Sequence, residues 1–135
     1  MPAEASKSGE RQVLIDTSSW IHFLRADGDK PARDRVSAAL EAGTARWCAM
    51  VRLELWNGAR GDREKRVLRE FERLVPELST AAAVWDEAFA LACRCRLAGV
   101  TVPSTDVLIY ACATHHGAEL EHADADFDQI SQVMA

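Results

Sequence analysis

This 135-residue sequence lacks most of the features that mark several large protein classes. No run approaches the roughly 18 uncharged apolar residues needed to span a bilayer. Residues 1–10 (MPAEASKSGE) carry no apolar h-region of a secretory leader and read as a flexible N-terminal lead-in. These absences predict a cytoplasmic chain that does not enter a membrane. There are four cysteines, Cys48, Cys93, Cys95 and Cys112, but no CxxC knuckle or neighbouring His pair to complete a tetrahedral zinc set. Cys93 and Cys95 fall two apart in a helical stretch, so they point to different faces. Buried or half-buried free thiols are expected, as in a reducing compartment. No glycine-rich loop is present to cradle a phosphate, which argues against a phosphatase of small phosphoesters. Internal repeats and low-complexity linkers are also missing. Positive charge is in deficit, with 16 Lys and Arg against 21 Asp and Glu, a net −5 that weakens any simple nucleic-acid assignment.

What remains is an ordinary globular composition, 48% hydrophobic and 27% charged. Its length suits one domain with one core, here residues 11–135. The cations are not spread evenly. Seven of them (Arg52, Arg60, Arg63, Lys65, Arg66, Arg69 and Arg73) lie in one stretch with five acids, the pattern of a solvated helix face with mixed-sign pairs.

Apolar periodicity divides the chain. QVLID (12–16) reads as a buried strand running into a helix start, with Thr17, Ser18 and Ser19 placed to cap it. Trp20, Ile21, Phe23 and Leu24 continue at helical spacing until Asp27-Gly28-Asp29 breaks the pattern. Pro31 begins a second helix that Gly43 stops. ARWCAM (45–50) is the next strand, followed by the helix VRLELWNGAR. A charged helix then places Val67, Leu68, Phe71, Leu74 and Val75 on one face, and Pro76 ends it. A long helix from Thr80 to Leu97 closes at Gly99. VTVP (100–103) is a short extended piece before the apolar helix opened by Ser104-Thr105-Asp106. AELEH (118–122) is a last short strand, with a final helical turn after it. Strands separated by helices imply right-handed βαβ units, hence an α/β fold. The expected architecture is a three-layer α/β/α sandwich around a central parallel sheet.

Ligands in such sheets bind outside the carboxyl ends of the strands. Four acids fall there: Asp16, Glu54, Asp106 and Asp124. Each has a plain explanation alone, as a helix cap for Asp16 or Asp106, a surface position for Glu54, or an exposed acidic turn for Asp124 beside Asp126 and Asp128. Together they pose an electrostatic problem. Carboxylates within a few ångströms repel, raising their pKa values unless a cation intervenes. Hard oxygen donors without a Cys/His set favour Mg²⁺ or Mn²⁺. Such an ion acidifies water and stabilises charge on a phosphoryl oxygen, which implies hydrolysis of a phosphodiester.

The motifs carrying these acids resemble those of the PIN-domain ribonucleases, in particular the VapC-type toxins of toxin–antitoxin pairs. VLIDTSSWIHFLR is similar to the family's opening strand and helix, with Asp16 as its first metal-binding acid. VRLELWNGAR resembles the second motif and places its glutamate on Glu54. PSTDVLIYACA resembles the third, at Asp106, and EHADADFDQI the last, at Asp124. The resemblance runs from Val13 to Ile130. It implies an endoribonuclease dependent on Mg²⁺ or Mn²⁺, a homodimer, and inhibition by a small VapB-type antitoxin. Asp16, Asp106 and Asp124 would be ligands, with Glu54 a ligand or a base that positions water. Two departures stand out. Glu119 and Glu121 replace apolar residues expected beside Leu120, the mark of a weak or edge strand. Asp126 competes with Asp124 for the fourth place, with Asp124 preferred. The alternative function is a catalytically inactive PIN-like module whose acidic pocket binds a basic partner peptide.

Other polar and aromatic residues have structural readings. His115-His116 suits a helix C-terminus. His22, six residues from Asp16, points away from it. Trp20, Trp56 and Trp85 read as core or partner-facing anchors, and Arg25 as a contact for RNA phosphate or an antitoxin peptide.

Overall fold

A computed structural model describes residues 11–135; the lead-in expected over residues 1–10 lies outside them. The chain runs β1 (Val13–Ile15), α1 (Thr17–Leu24), α2 (Lys30–Ala42), β2 (Ala45–Cys48), α3 (Ala49–Gly58), α4 (Gly61–Leu74), β3 (Glu77–Leu78), α5 (Ala82–Leu97), α6 (Ser104–His115), β4 (Glu119–Glu121) and α7 (Ala125–Met134). The four strands are parallel in the order β3-β2-β1-β4.

Strand burial explains the layers. Successive side chains of a strand point to opposite faces, yet all four residues of β2 are buried, as are Leu14 and Ile15 in β1. Both faces of the central strands are therefore covered, as parallel sheets require. The three-layer α/β/α architecture follows. α1 packs on α2, while α5, α6 and α7 pack on one another. An aromatic cluster anchors the α1 side: Trp20 is fully buried, with its ring centroid 5.6 Å from Trp47 and 5.2 Å from Phe71. Fully buried Ile109, Cys112, Phe127 and Ile130 join α6 and α7 to the same core.

Local signals set the helix ends. Asp29 caps α2 through the N–H of Ala32, and Gly43 ends that helix at φ 75°, a left-handed conformation that favours glycine. At Gly28 a β-carbon would collide with the His22 carbonyl, so the tight α1–α2 turn needs glycine there. His22 faces that turn, its Nδ1 accepting the Asp29 N–H at 3.0 Å, away from Asp16 as expected.

Some sequence expectations are corrected. VTVP joins no strand, and the ladder position it seemed to offer is absent. The fourth strand is instead the two-residue β3, directly after Pro76, where only a helix end was expected. Cys93 is exposed rather than buried, because it lies on the outward face of α5; Cys48, Cys95 and Cys112 are buried free thiols. Trp85 is 43% exposed on α5, which leaves the partner-facing one of its two readings. The expected mixed-sign pairing of the α4 region is present in part: Arg52 bridges Glu72 and Glu77, and Arg73 reaches Glu70.

Candidate functional site

β1 delivers the first acid. Asp16 follows its last residue, is 3% exposed, and caps α1 by accepting from Ser18 N (2.9 Å) and Ser18 Oγ (2.5 Å). Being a cap and facing a site are compatible here, since one oxygen serves both Ser18 bonds. Burial raises its pKa; the Ser18 bonds oppose that shift, and Asp124 adds to it.

Asp106 arrives by a different route from the one the sequence suggested. No strand precedes it, and it sits in the first turn of α6 after Pro103. A capping role is not what holds it, because α6 has no side-chain cap bond. The residue is 7% exposed and its Oδ2 has no hydrogen-bond partner. Its pKa rises to about 7, first through burial and then through Asp16, Asp124, Asp126 and Glu54. Four acids spread over a hundred residues of chain thus act electrostatically on one carboxyl.

Glu54 projects from the middle of α3, where its Oε1 accepts from Thr17 Oγ1 at 2.5 Å. The bond ties it to the residue after Asp16, so a helix-surface position is not its role. It also lines a largely apolar cavity between α1, α3 and α4, with Ile21, Leu24, Leu55 and Val67 as walls and Arg25 and Arg63 at the rim. Asp124 caps α7 through the Asp126 N–H (2.9 Å). Oxygens of Asp106, Asp124 and Asp126 all lie within 4.8 Å of one another. The structure thus brings Asp126 in beside Asp124, where the sequence offered them as alternatives.

Sequence reasoning missed the polar frame around these acids. Ser18 Oγ also accepts the Ala123 N–H (3.0 Å), while Glu121 takes bonds from Ser19 and Arg35. The polar strand AELEH was the available signal. Among the described residues, no Lys, Arg or His forms an ion pair with Asp16, Glu54, Asp106, Asp124 or Asp126. Converging carboxylates, a buried orphan oxygen and, among the described residues, no ion-paired cation on these acids make a donor set that fits a hard divalent cation.

The PIN domain profile matches residues 13–133, nearly all of the described chain. This chain is a PIN-domain protein of the VapC family. It is 37% identical over 124 residues to a VapC ribonuclease of Mycobacterium bovis, covering 90% of this chain and 92% of that one. Ribonuclease VapC21 of Mycobacterium tuberculosis is 31% identical over 128 residues, covering 91% and 88%. Two solved structures share the fold. VapBC2 of Rickettsia felis, bound to a DNA fragment from its promoter, superposes with a TM-score of 0.65 at 12% identity, covering 80% of this chain and 84% of that one. FitAcB of Neisseria gonorrhoeae gives 0.66 at 18% identity, covering 89% and 94%. The four motifs that resembled the PIN domain in sequence all fall inside the matched span.

Proposed function

We propose that this VapC-family protein is an endoribonuclease dependent on Mg²⁺ or Mn²⁺, acting as the toxin of a VapB–VapC pair. The observation that carries the metal is the convergence of Asp106, Asp124 and Asp126, none of them ion-paired among the described residues, at a buried carboxyl with an unpartnered oxygen. The step from metal to RNA is supported by the names of its ribonuclease relatives. When bound, a divalent ion supplies positive charge against the scissile phosphate and acidifies a water enough to attack phosphorus.

The chain's own residues divide the remaining work. Asp16, Asp106 and Asp124 are assigned as the acids that hold the ion, with Asp126 alongside Asp124. Glu54, oriented by Thr17, is a ligand or the base that positions the water and takes its proton. Burial of Asp16 and Asp106 keeps competing water from relaxing their geometry.

A VapB-type antitoxin is the proposed protein partner, and a basic peptide end is the chemistry that fits an acidic site rimmed by an apolar cavity. A homodimer is supported by the exposed Trp85 and Phe89 on α5, an apolar pair that water alone leaves uncovered. No described helix is long and apolar enough to cross a membrane, and the reading places the protein in the cytoplasm with its RNA.

The test is cleavage of total RNA with Mg²⁺ or Mn²⁺. Asp16→Asn should abolish cleavage while far-UV circular dichroism stays unchanged, and EDTA should do the same reversibly. Cleavage by Asp16→Asn at the native rate would refute the site. Neither cleavage nor stabilisation by either ion would leave the inactive peptide-binding module as the reading.

A further inference from the structure

β4 carries Asp124 to the site, yet it is a poor strand. It has three residues, lies at the sheet edge, and alternates Glu-Leu-Glu, with Leu120 as its one apolar side chain and that only half-buried. Apolar packing cannot fix such an element firmly. What fixes it is polar and comes from α1 and α2. The Glu121 carboxylate accepts from Arg35 Nε of α2 at 2.8 Å on one oxygen and from Ser19 Oγ of α1 at 2.9 Å on the other. Its side chain is 13% exposed, so these bonds are not idle surface contacts. The Glu121 carbonyl in turn accepts the Asp16 N–H at 2.9 Å, and Ser18 Oγ bridges Asp16 Oδ2 to the Ala123 N–H. The bonds from Ser19, Asp16 and Ala123 join the segment before Asp124 to the segment that holds Asp16, and Arg35 ties the same segment to α2.

We propose that Arg35 and Glu121 are positioning residues that hold Asp124 in register with Asp16 and Asp106 and thereby set the affinity of the acidic site for its divalent ion. The inference rests on the metal reading above. It extends that reading to residues that donate nothing to the ion. Residues that orient metal ligands commonly control affinity by roughly 10–100-fold.

Charge alone makes the opposite prediction for one variant, which provides the test. Arg35 is a cation close to an acidic site, so its field opposes a bound metal; removing it by electrostatics alone would tighten binding. Positioning predicts that removal weakens it. The measurement is Mn²⁺ titration of the full chain by calorimetry, with thermal midpoints taken in EDTA. Arg35→Met and Glu121→Gln should each raise the Mn²⁺ Kd about 10-fold. Apo midpoints should move by no more than a few degrees, since Arg35 is half-exposed and such pairs stabilise little. Arg35→Lys should recover part of the lost affinity. Unchanged or tighter binding in Arg35→Met, with the unaltered chain binding Mn²⁺ normally, would overturn this proposal alone. No Mn²⁺ binding by the unaltered chain would overturn the metal reading and this proposal together.

Discussion

The two halves of the acidic site are held in place by different physics. Asp16 and Asp106 are set in the core, 3% and 7% exposed, beside fully buried Leu14, Ile15 and Ile109. Asp124 and Asp126 hang from a three-residue edge strand and the start of α7, half-buried and tied by side-chain hydrogen bonds. The first half gains rigidity from close packing but confines charge where water cannot screen it. The second half is screened and adjustable, and its placement depends on a handful of polar bonds.

The largest effect should come from the buried half. Asp106→Asn is expected to lower RNA cleavage by roughly 100-fold or more in an assay with Mn²⁺, because it removes the proposed ligand at the most crowded position. The same variant should melt a few degrees higher in EDTA at pH 8, since one repelling carboxylate is gone. A lower apo midpoint would break the claim that this half stores repulsion.

Packing gives the next contrast. Ile109→Ala should cost about 2–5 kcal/mol in urea unfolding, as a fully buried large-to-small change does. Leu120→Ala on β4 should cost less than about 2 kcal/mol, because that side chain is only half-buried. Equal costs would mean that the edge strand is anchored by apolar contact after all.

The pH dependence sharpens the electrostatic side. Asp106 titrates near 7 in the folded apo chain against 3.8 for the ordinary carboxyl, and Asp16 shifts the same way. Between those values the folded chain keeps a proton that the unfolded chain has released. Apo stability should therefore fall as pH rises from about 4 to 7 and level off above. Thermal melts in EDTA should show this slope, and Asp106→Asn should flatten it. Mn²⁺ should lift the midpoint most at the alkaline end.

The smallest effect is expected at an ion pair outside both halves. Lys30 and Asp34 meet at 2.9 Å but are 83% and 64% exposed, so Lys30→Ala should change stability by less than about 0.5 kcal/mol and leave cleavage intact. A larger loss would show that α2 as a whole, rather than Arg35, steadies the edge.

How much of this was legible in the sequence follows the same division. Asp16 was readable because an apolar strand must end somewhere, and its end is where α/β sites lie. Asp106 was found for a partly wrong reason: VTVP has β-preferring residues, but strand propensity depends on a neighbour with a free edge, and none pairs with it. β3 was invisible because two residues carry no periodicity. Glu54 carried no local mark, and only its bond to Thr17, 37 residues away, distinguishes it from a surface glutamate. Glu121 was read as a weakness of its strand. Its partners Arg35 and Ser19 lie 86 and 102 residues away, so no local window contains the reason for it. Asp126 was ranked below Asp124 because its approach to Asp106 is a fact of tertiary packing that no local window contains.

The spread of these acids along the chain has a consequence during folding. Asp16 follows the first strand, but the trio of Asp106, Asp124 and Asp126 cannot form until residue 126 is free to fold. β4 must also slot in parallel beside β1, a long-range pairing that comes late because its loop-closure entropy is met first. The acidic cluster is therefore complete only after the edge strand has joined the sheet. The element that packs least is thus the one whose arrival completes the cluster.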